Sequence, residues 1–402
     1  AAATATAVRG IAQFPPLPPS PLDHRPLFTA EHDIFRESTR KFFEEKIAPY
    51  HAQWEIDGKI SREAWLQTGE QGLLGCTVPT EYGGSGADWL YSAIVIEELN
   101  RLQCSGPGFL LHMEICIPYI LNYGTEEQKQ KWVPGMVDGS LISAIAMSEP
   151  AAGSDLQGIQ TTAVEDGDHY VINGQKTFIT NGAMSDLVIL VCKTDPKLGA
   201  KGTSLIVVET KDLEGFSRGR NLKKIGMKAQ DTSELFFADC RVPKANLLGQ
   251  VNKGFILLMQ ELAQERLIIA VGNLASCESL LAETVHYTKE RKAFGTTVSS
   301  MQNTRFKLAE MRTQLAVARS FVDHCLALHV QKKLDPATAA MAKCHVSELM
   351  GRVADECVQL HGGYGYMTEY NAARVFTDAR VQRIYGGTNE IMKELIARSI
   401  GV

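Results

Sequence analysis

The middle of this 402-residue chain differs in pattern from both flanks. Between about residues 141 and 240, the strand-forming segments TTAV, HYVI and KTFIT are followed by DLVILV, SLIVVET and TSELFFADC. The dipeptides Asp166-Gly167 and Asn173-Gly174, which separate the first three segments, have the composition of two-residue hairpin turns. The pattern predicts an antiparallel, barrel-like β domain over residues 141–252.

Both flanks show helical periodicity instead. Four residues that favour helix N-caps precede helical patterns before residue 140: Thr29, Ser61, Asp88 and Thr125. They predict an all-α domain over residues 28–140. Four further helices predict a helical bundle over residues 253–402: 255–290, 301–331, 336–360 and 389–398. The expected fold class is therefore α+β, with a helical domain on each side of a β domain.

Composition excludes several classes of partner and site. A net charge of -5 gives no overall positive field, so we expect no nucleic acid partner. The nine cysteines are odd in number and never form CxxC, so neither a metal site nor a disulfide framework is predicted. No uninterrupted apolar run reaches the roughly 18 to 20 residues that span a bilayer, so no transmembrane segment is expected.

Residues 1–27 are predicted to be a disordered or extended lead-in, because the run PPLPPSP and its surroundings have little apolar surface to bury. Arg9 occurs without any acidic residue before Pro21. This composition is compatible with the remnant of a mitochondrial targeting segment, and a shortened chain explains the missing initiator Met equally well.

Two segments of the β domain suit a flat, phosphorylated ligand. MSEPAAGSD (residues 147–155) combines hydroxyls with small residues that leave N-H groups accessible, although an ordinary loop has the same composition. FITNG (residues 178–182) places an aromatic and a hydroxyl at a strand end. Phe178 could stack on a heterocycle there or belong to the core.

Two segments of the C-terminal part complement them. Arg291, in ERKAFG between two predicted helices, can bind a pyrophosphate with two hydrogen bonds, or can simply complement a helix dipole. QLHGG (residues 359–363) ends the next long helix, where Gly362 is also suited to a C-cap. We expect His361 to be structural.

Residues 259–270, MQELAQERLIIA, predict a helix in which Glu265 lies beside an apolar face. A charged carboxylate at that position is costly to desolvate unless it is paired. Arg266 follows directly, so a surface ion pair is one interpretation and a buried functional carboxylate is the other.

In this order and on an α-β-α background, the segments resemble the acyl-CoA dehydrogenase family over residues 27–402. MSEPAAGSD is similar to the flavin loop of that family, FITNG to its flavin-stacking strand end, and ERKAFG and QLHGG to its cross-subunit FAD contacts. IYGGTNEI resembles its C-terminal active-site signature. EHDIFRESTRKFF and CSGPGF are most similar to the long-chain members.

The resemblance implies FAD as the cofactor and assigns its contacts to residues of these segments, to Gln302 and to the start of the last helix. The implied FAD contacts are Ile145, Ala146, Met147, Ser148, Gly153, Ser154, Phe178, Ile179, Thr180, Arg291, Phe294, Gln302, Gln359, Leu360, His361, Gly362, Gly363, Thr388, Asn389 and Glu390. The implied acyl-CoA contacts are Ser154, Ala263, Gln264, Arg266, Gly386 and Gly387.

The position of the catalytic base separates the subfamilies. In medium- and short-chain members a Glu follows the Tyr of the C-terminal signature, and that position here is Gly386. Long-chain and isovaleryl members carry the Glu on the helix that here contains QERL, so the resemblance implies that Glu265 is the base.

The implied reaction is α,β-dehydrogenation of a saturated long-chain fatty acyl-CoA to trans-2-enoyl-CoA in β-oxidation. Glu265 would take the α proton, and a hydride would pass from the β carbon to flavin N5.

The family further implies electron-transferring flavoprotein as the acceptor and a homotetramer formed as a dimer of dimers. The implied location is the mitochondrial matrix, or the cytoplasm if the source is bacterial. Three alternatives remain open: an acyl-CoA oxidase that uses oxygen, a branched-chain dehydrogenase of the isovaleryl type, and a non-catalytic assembly protein on the same fold.

Overall fold

The computed structural model describes residues 17–21 and 24–402, in which helices flank a central sheet as predicted. The N-terminal helices are α1 (Ala30–Lys46), α2 (His51–Asp57), α3 (Arg62–Glu70), α4 (Trp89–Arg101), the single turn α5 (Phe109–Leu111), α6 (Ile117–Tyr123) and α7 (Glu126–Val137). A π-helical segment, His112–Cys116, joins α5 to α6. The C-terminal helices are α8 (Gly254–Glu290), α9 (Gln302–Val330), α10 (Pro336–His361), α11 (Asn371–Asp378) and α12 (Asn389–Ser399). The sequence pattern did not predict α11.

The predicted N-caps are in place. Ser61 Oγ accepts the Ala64 N-H, and Thr125 forms a capping box with Gln128. Asp88 accepts the Leu90 N-H at the start of α4, and Thr29 precedes α1, where its N-H and hydroxyl bond to the His32 ring. These caps satisfy backbone donors that the first helical turn leaves unpaired, which is why they mark the helix starts reliably.

The middle domain is built on one sheet. Its strands are β1 (Ser143–Ala146), β2 (Thr162–Asp166), β3 (His169–Thr180), β4 (Leu187–Lys193), β5 (Thr203–Glu209), β6 (Phe216–Asn221), β7 (Thr232–Pro243) and β8 (Leu247–Leu248). They lie in the order β6-β7-β3-β2-β4-β5-β8, with β1 beside β4. Most pairs are antiparallel as predicted, but β1 and β2 each pair with β4 in parallel. The predicted β2–β3 hairpin is present, and Gly167 and Asp168 form its loop.

The prediction of a hairpin turn at Asn173-Gly174 is wrong. Both residues lie inside β3, where the register against β7 shifts between Ile172 and Gly174. Gly174 has a φ of +149°, and a side chain there would collide with Thr161. The Asn173 amide exchanges hydrogen bonds with Asp239 on β7. This dipeptide therefore forms a bulge that bends a long strand.

Part of the predicted lead-in, residues 1–27, contacts the folded domains. Leu17 and Leu27 pack against the apolar core of the C-terminal helices. These contacts bury apolar surface, so this part of the segment belongs to the fold and the prediction is wrong for it. Residues 1–16 and 22–23 lie outside the described residues.

Arg25 joins a buried ionic cluster around Glu97 of α4. Its guanidinium binds Glu97 at 2.9 Å and Asp323 of α9 at 2.6 Å. Arg36 of α1 and Arg319 of α9 also bind Glu97, each at 2.7 Å. Burial opposes ionisation, but these guanidinium groups hold the pKa of Glu97 well below its usual range. The cluster ties the N-terminal segment to three helices.

Helix α8 packs between α4, α9 and α10 and contributes a large share of the core. Among the described residues it is the single helix long and apolar enough to cross a membrane, but 72% of that window is buried within the protein. This burial indicates a core helix. All nine cysteines are buried free thiols.

Candidate active site

Glu265 lies on α8 with 7% of its surface exposed. The Tyr119 hydroxyl, on α6, donates a 3.1 Å hydrogen bond to Glu265 Oε1. Arg266 is also buried, and its Nε has no hydrogen-bond partner among the described residues. The interpretation of Glu265 and Arg266 as a surface ion pair is therefore wrong.

Burial raises the pKa of Glu265 to about 7, against the opposing effect of the Tyr119 hydrogen bond. Nearby Glu261 adds to the rise, and Arg266 counteracts it. Burial in the protein alone thus brings the pKa of this carboxyl close to neutral pH. A group with such a pKa is suited to accept a proton near physiological pH.

The raised pKa predicts a stability effect that is separate from activity. A carboxyl with a folded pKa above its unfolded value stabilises the fold at low pH, and that contribution is lost as pH rises through about 7. Glu265→Gln should therefore be more stable than the wild type at pH 8, by up to about 3 kcal/mol, and gain less at pH 6. Thermal unfolding at both pH values measures this, with Glu261→Gln as a control. An equal difference in Tm at both pH values would contradict the buried, raised carboxyl.

Gly386 lies beside α8, and Gly387, the next residue, lies beside Met392 of α12. Their φ values of +62° and +86° are left-handed, where residues other than glycine are strained. A Cβ at Gly386 would lie 2.5 Å from Ile269 Cδ1. Ile269 follows Glu265 by one helical turn, so both side chains share one face. The structure therefore brings together the predicted base and the glycine that replaces the other family base.

Gly386 and Gly387 form a loop, called the glycine loop below, whose backbone has N-H donors without partners in the described part of the chain. Within residues 24–402, no hydrogen-bond acceptor is found for the N-H of Gly386 or of Gly387. Partly buried N-H groups without partners are uncommon and suit an external acceptor. The loop can thus bind an oxygen atom of a ligand next to Glu265.

The end of β3 presents Phe178 to solvent. Its φ is +60° and 69% of its surface is exposed, so its assignment to the core is wrong. The Thr177 N-H donates to the Ser148 carbonyl at 3.0 Å, which holds the loop of residues 147–155 beside this strand end. The two predicted flavin segments therefore form one surface.

A buried ion pair lies behind that surface. Lys176 Nζ binds Glu149 Oε1 at 2.8 Å and donates to the Met147 carbonyl at 2.9 Å. Glu149 also accepts the N-H groups of Gln160 and Thr161. The sequence does not indicate this pair, because a Glu in a loop and a Lys in a strand carry no periodic signal.

A second cluster forms around Arg291 at the end of α8. A cavity of about 440 Å³ is lined by Tyr287, Arg291, Val298, Gln359, Leu360, His361, Gly362, Gly363, Tyr364 and Met367. The next segment is a hairpin of β9 (Lys292–Ala293) and β10 (Thr296–Thr297), and Phe294 at its tip is 97% exposed. At 1.5 Å per residue, Arg291 lies about 39 Å along α8 from Glu265. One chain therefore carries two separate groups of predicted contacts.

Some of the residues predicted to contact a ligand have side chains that are buried or hydrogen-bonded within the protein instead. His361 is buried, donates through Nδ1 to the Cys357 carbonyl and stacks on Tyr287, in line with a structural role. The Asn389 side chain bonds to α10, and the Gln264 amide donates to Glu114. Ile145 and Ala146 are buried in β1, and Ile179 in β3. Besides Phe178, Arg291 and Phe294, the exposed members of the predicted set are Gly153, Ser154, Gln302, Gln359, Gly362, Gly363 and Glu390.

These features fit FAD. An exposed aromatic at a strand end can stack on a flat ring, and the small residues beside it leave room for that ring. The exposed Arg291 guanidinium at a cavity with glycines on its wall suits a pyrophosphate. Ser148, Thr180, Leu360 and Thr388 are partly buried.

Models of known protein families show to which family the chain belongs. Models of the acyl-CoA dehydrogenase N-terminal, middle and C-terminal domains match residues 29–140, 144–240 and 252–401. The chain belongs to the acyl-CoA dehydrogenase family. Membership makes it an oxidoreductase enzyme of a flavoprotein family, which contradicts the non-catalytic alternative.

Individual acyl-CoA dehydrogenases are similar over most of their length. The mitochondrial long-chain specific enzyme of Mus musculus is 56% identical over 378 residues, which cover 94% of this chain and 88% of the relative. Mitochondrial isovaleryl-CoA dehydrogenase of Pongo abelii is 38% identical, with 92% of this chain and 88% of the relative covered. The crystal structure of an acyl-CoA dehydrogenase from Geobacillus kaustophilus has a TM-score of 0.92 at 50% identity, and covers 94% of this chain and 100% of that chain.

Proposed function

We propose that this acyl-CoA dehydrogenase converts a saturated, straight, long-chain fatty acyl-CoA to the trans-2-enoyl-CoA, with Glu265 as the base that removes the α proton. The observation that carries the proposal is the buried Glu265 carboxyl, with a pKa near 7, beside the glycine loop at Gly386. The similarity to long-chain enzymes supports the substrate class.

The α proton of a thioester is far less acidic than a carboxylic acid, so the base needs help from the substrate carbonyl. The free N-H of Gly386 can donate to the thioester oxygen and stabilise the negative charge that develops there. Gly386 supplies this donor through its backbone, so the absence of a carboxylate at that position does not remove it. When bound, FAD supplies the acceptor for the hydride that leaves the β carbon.

FAD would be held by residues of two subunits. Phe178, Thr180 and the loop of residues 147–155 would bind it from one chain, and Arg291 with residues 359–363 from a neighbour. The separation of about 39 Å along α8 supports this division, because it places the second group far from Glu265. We infer a homotetramer, arranged as a dimer of dimers.

Electron-transferring flavoprotein is the proposed electron acceptor, and the mitochondrial matrix the proposed location, or the cytoplasm in a bacterial source. An acyl-CoA oxidase would carry out the same dehydrogenation and would differ only in the acceptor that reoxidises the flavin, which would be oxygen. Oxygen consumption during turnover, measured with and without electron-transferring flavoprotein, distinguishes the two. Substantial consumption of oxygen without the flavoprotein would favour the oxidase.

Arg291→Ala should lower FAD occupancy in the purified enzyme. The variant loses a charge-assisted contact to the pyrophosphate worth roughly 1.5 to 3 kcal/mol, or roughly 10- to 150-fold in affinity. Flavin absorbance per subunit, measured together with the assembly state by light scattering, tests this. Lys292→Ala, at the neighbouring exposed position, is the matched control and should retain FAD. Full occupancy in a monomeric Arg291→Ala variant contradicts the shared site.

Substrate preference should rise with acyl chain length. Each buried methylene contributes about 0.8 kcal/mol until the pocket ends, so kcat/KM should be highest for chains of about twelve carbons or more. Isovaleryl-CoA should be a poor substrate. Steady-state rates across a series of acyl-CoA lengths measure this. A maximum at four or five carbons, or with the branched substrate, would support the isovaleryl-type alternative.

A further inference from the structure

Lys343 is a buried ammonium in the middle of α10. Its residue is 0% exposed, and its Nζ donates to the Gly387 carbonyl at 2.7 Å and to Asn389 Oδ1 at 3.0 Å. Among the ion pairs of the described residues, none includes Lys343. A charge enclosed with only neutral acceptors is costly, and burial accordingly lowers the pKa of Lys343 to about 8. The free-energy cost of burying this ammonium indicates that Lys343 has a function in the loop that it contacts.

The contacts of Lys343 hold the glycine loop from the α10 side. Ser347, one helical turn after Lys343, exchanges hydrogen bonds with the Asn389 amide at 3.1 and 3.2 Å. On the α8 side, Gly386 packs against Ile269. The loop is therefore fixed between two helices, although its two left-handed glycines give it a flexible backbone.

The geometry points to Lys343 as a positioning residue for the substrate carbonyl. We propose that its hydrogen bond to the Gly387 carbonyl fixes the conformation of the glycine loop, so that the free Gly386 N-H, two peptide units earlier, faces the thioester oxygen beside Glu265. The ammonium acts through the backbone and does not touch the substrate. A donor that is fixed before the substrate binds needs no reorganisation during the reaction. This inference rests on the proposed function, because it assumes that the loop binds an acyl-CoA carbonyl.

The test compares two ligands that differ only at the carbonyl. The FAD-loaded enzyme is titrated with trans-2-hexadecenoyl-CoA, which has a thioester oxygen, and with S-(trans-2-hexadecenyl)-CoA, a thioether that lacks it. Lys343→Met keeps most of the length of the side chain but removes its donors. We expect this variant to bind the thioester about tenfold more weakly and the thioether almost unchanged. Lys333→Met, at an exposed position before α10, should change neither affinity.

A purely structural role predicts a different result. Equal weakening of both ligands, or no weakening of either, would overturn the inference. If Lys343→Met does not assemble with FAD, Lys343→Gln enters the same titrations. Its neutral amide ends one bond short of the lysine Nζ, so it should hold the Gly387 carbonyl less closely and must show the same selective loss. Failure of the proposed function is distinguishable, because then the wild type itself would lack FAD or would not bind the thioester.

Discussion

Replacing Glu265 by glutamine should slow the bleaching of bound FAD by acyl-CoA by several orders of magnitude, while the enzyme still binds both molecules. Glutamine has the shape of glutamate, and its carbonyl oxygen can still accept the Tyr119 hydroxyl hydrogen bond. It cannot accept the α proton at neutral pH. The other family position for the base is Gly386, which has no side chain to replace it. Stopped-flow absorbance under anaerobic conditions measures the rate.

Glu261→Gln is the matched control for this variant. Glu261 lies one helical turn before Glu265, and its carboxylate accepts hydrogen bonds from Asn122 and Tyr123. Its replacement removes a nearby negative charge but no proposed base, so the rate should change little. A large loss in Glu261→Gln with none in Glu265→Gln would reverse the assignment.

Lys176→Met should destabilise the middle domain and release FAD. The side chain of Lys176 is 0% exposed and that of Glu149 6%, so the substitution leaves a buried carboxylate without its cation. Removal of one partner from such a pair costs about 3 to 5 kcal/mol. The lost bond to the Met147 carbonyl also frees the loop that lies beside Phe178. Thermal unfolding and flavin absorbance per subunit measure the two effects.

The double variant Glu149→Gln/Lys176→Met separates the charge from the packing. It removes the unpaired carboxylate, so it should recover part of the stability lost in Lys176→Met. Lys211→Met, at an exposed position of the same domain, should leave both measurements unchanged. Wild-type stability in Lys176→Met would show that the pair does not support the loop.

The sequence predicted features that depend on local chemistry. The helix starts at Ser61, Asp88 and Thr125 follow from side chains that cap the next turn, and the structure confirms them. Glu265 could be singled out because a carboxylate on an apolar helical face requires a reason. Its role as base, however, came from resemblance to a family, since helical periodicity alone favoured a surface ion pair.

Features that depend on distant segments could not be predicted. Asn173-Gly174 has the composition of a turn, but contact with Thr161 and Asp239 makes it a bulge instead. Tyr119 and Lys343 reach the site from helices far away in the sequence, and nothing in their local pattern marks them. Their importance is visible only once burial and hydrogen-bond partners are known.

The most direct test of the central claim is anaerobic addition of a saturated, straight-chain acyl-CoA to the wild type and to Glu265→Gln, both loaded with FAD. In the wild type, the yellow colour should bleach while an equal amount of trans-2-enoyl-CoA forms. The variant should bind the ligand and remain yellow. Bleaching of Glu265→Gln at nearly the wild-type rate, or a FAD-loaded wild type that stays yellow with every chain length, would contradict the account.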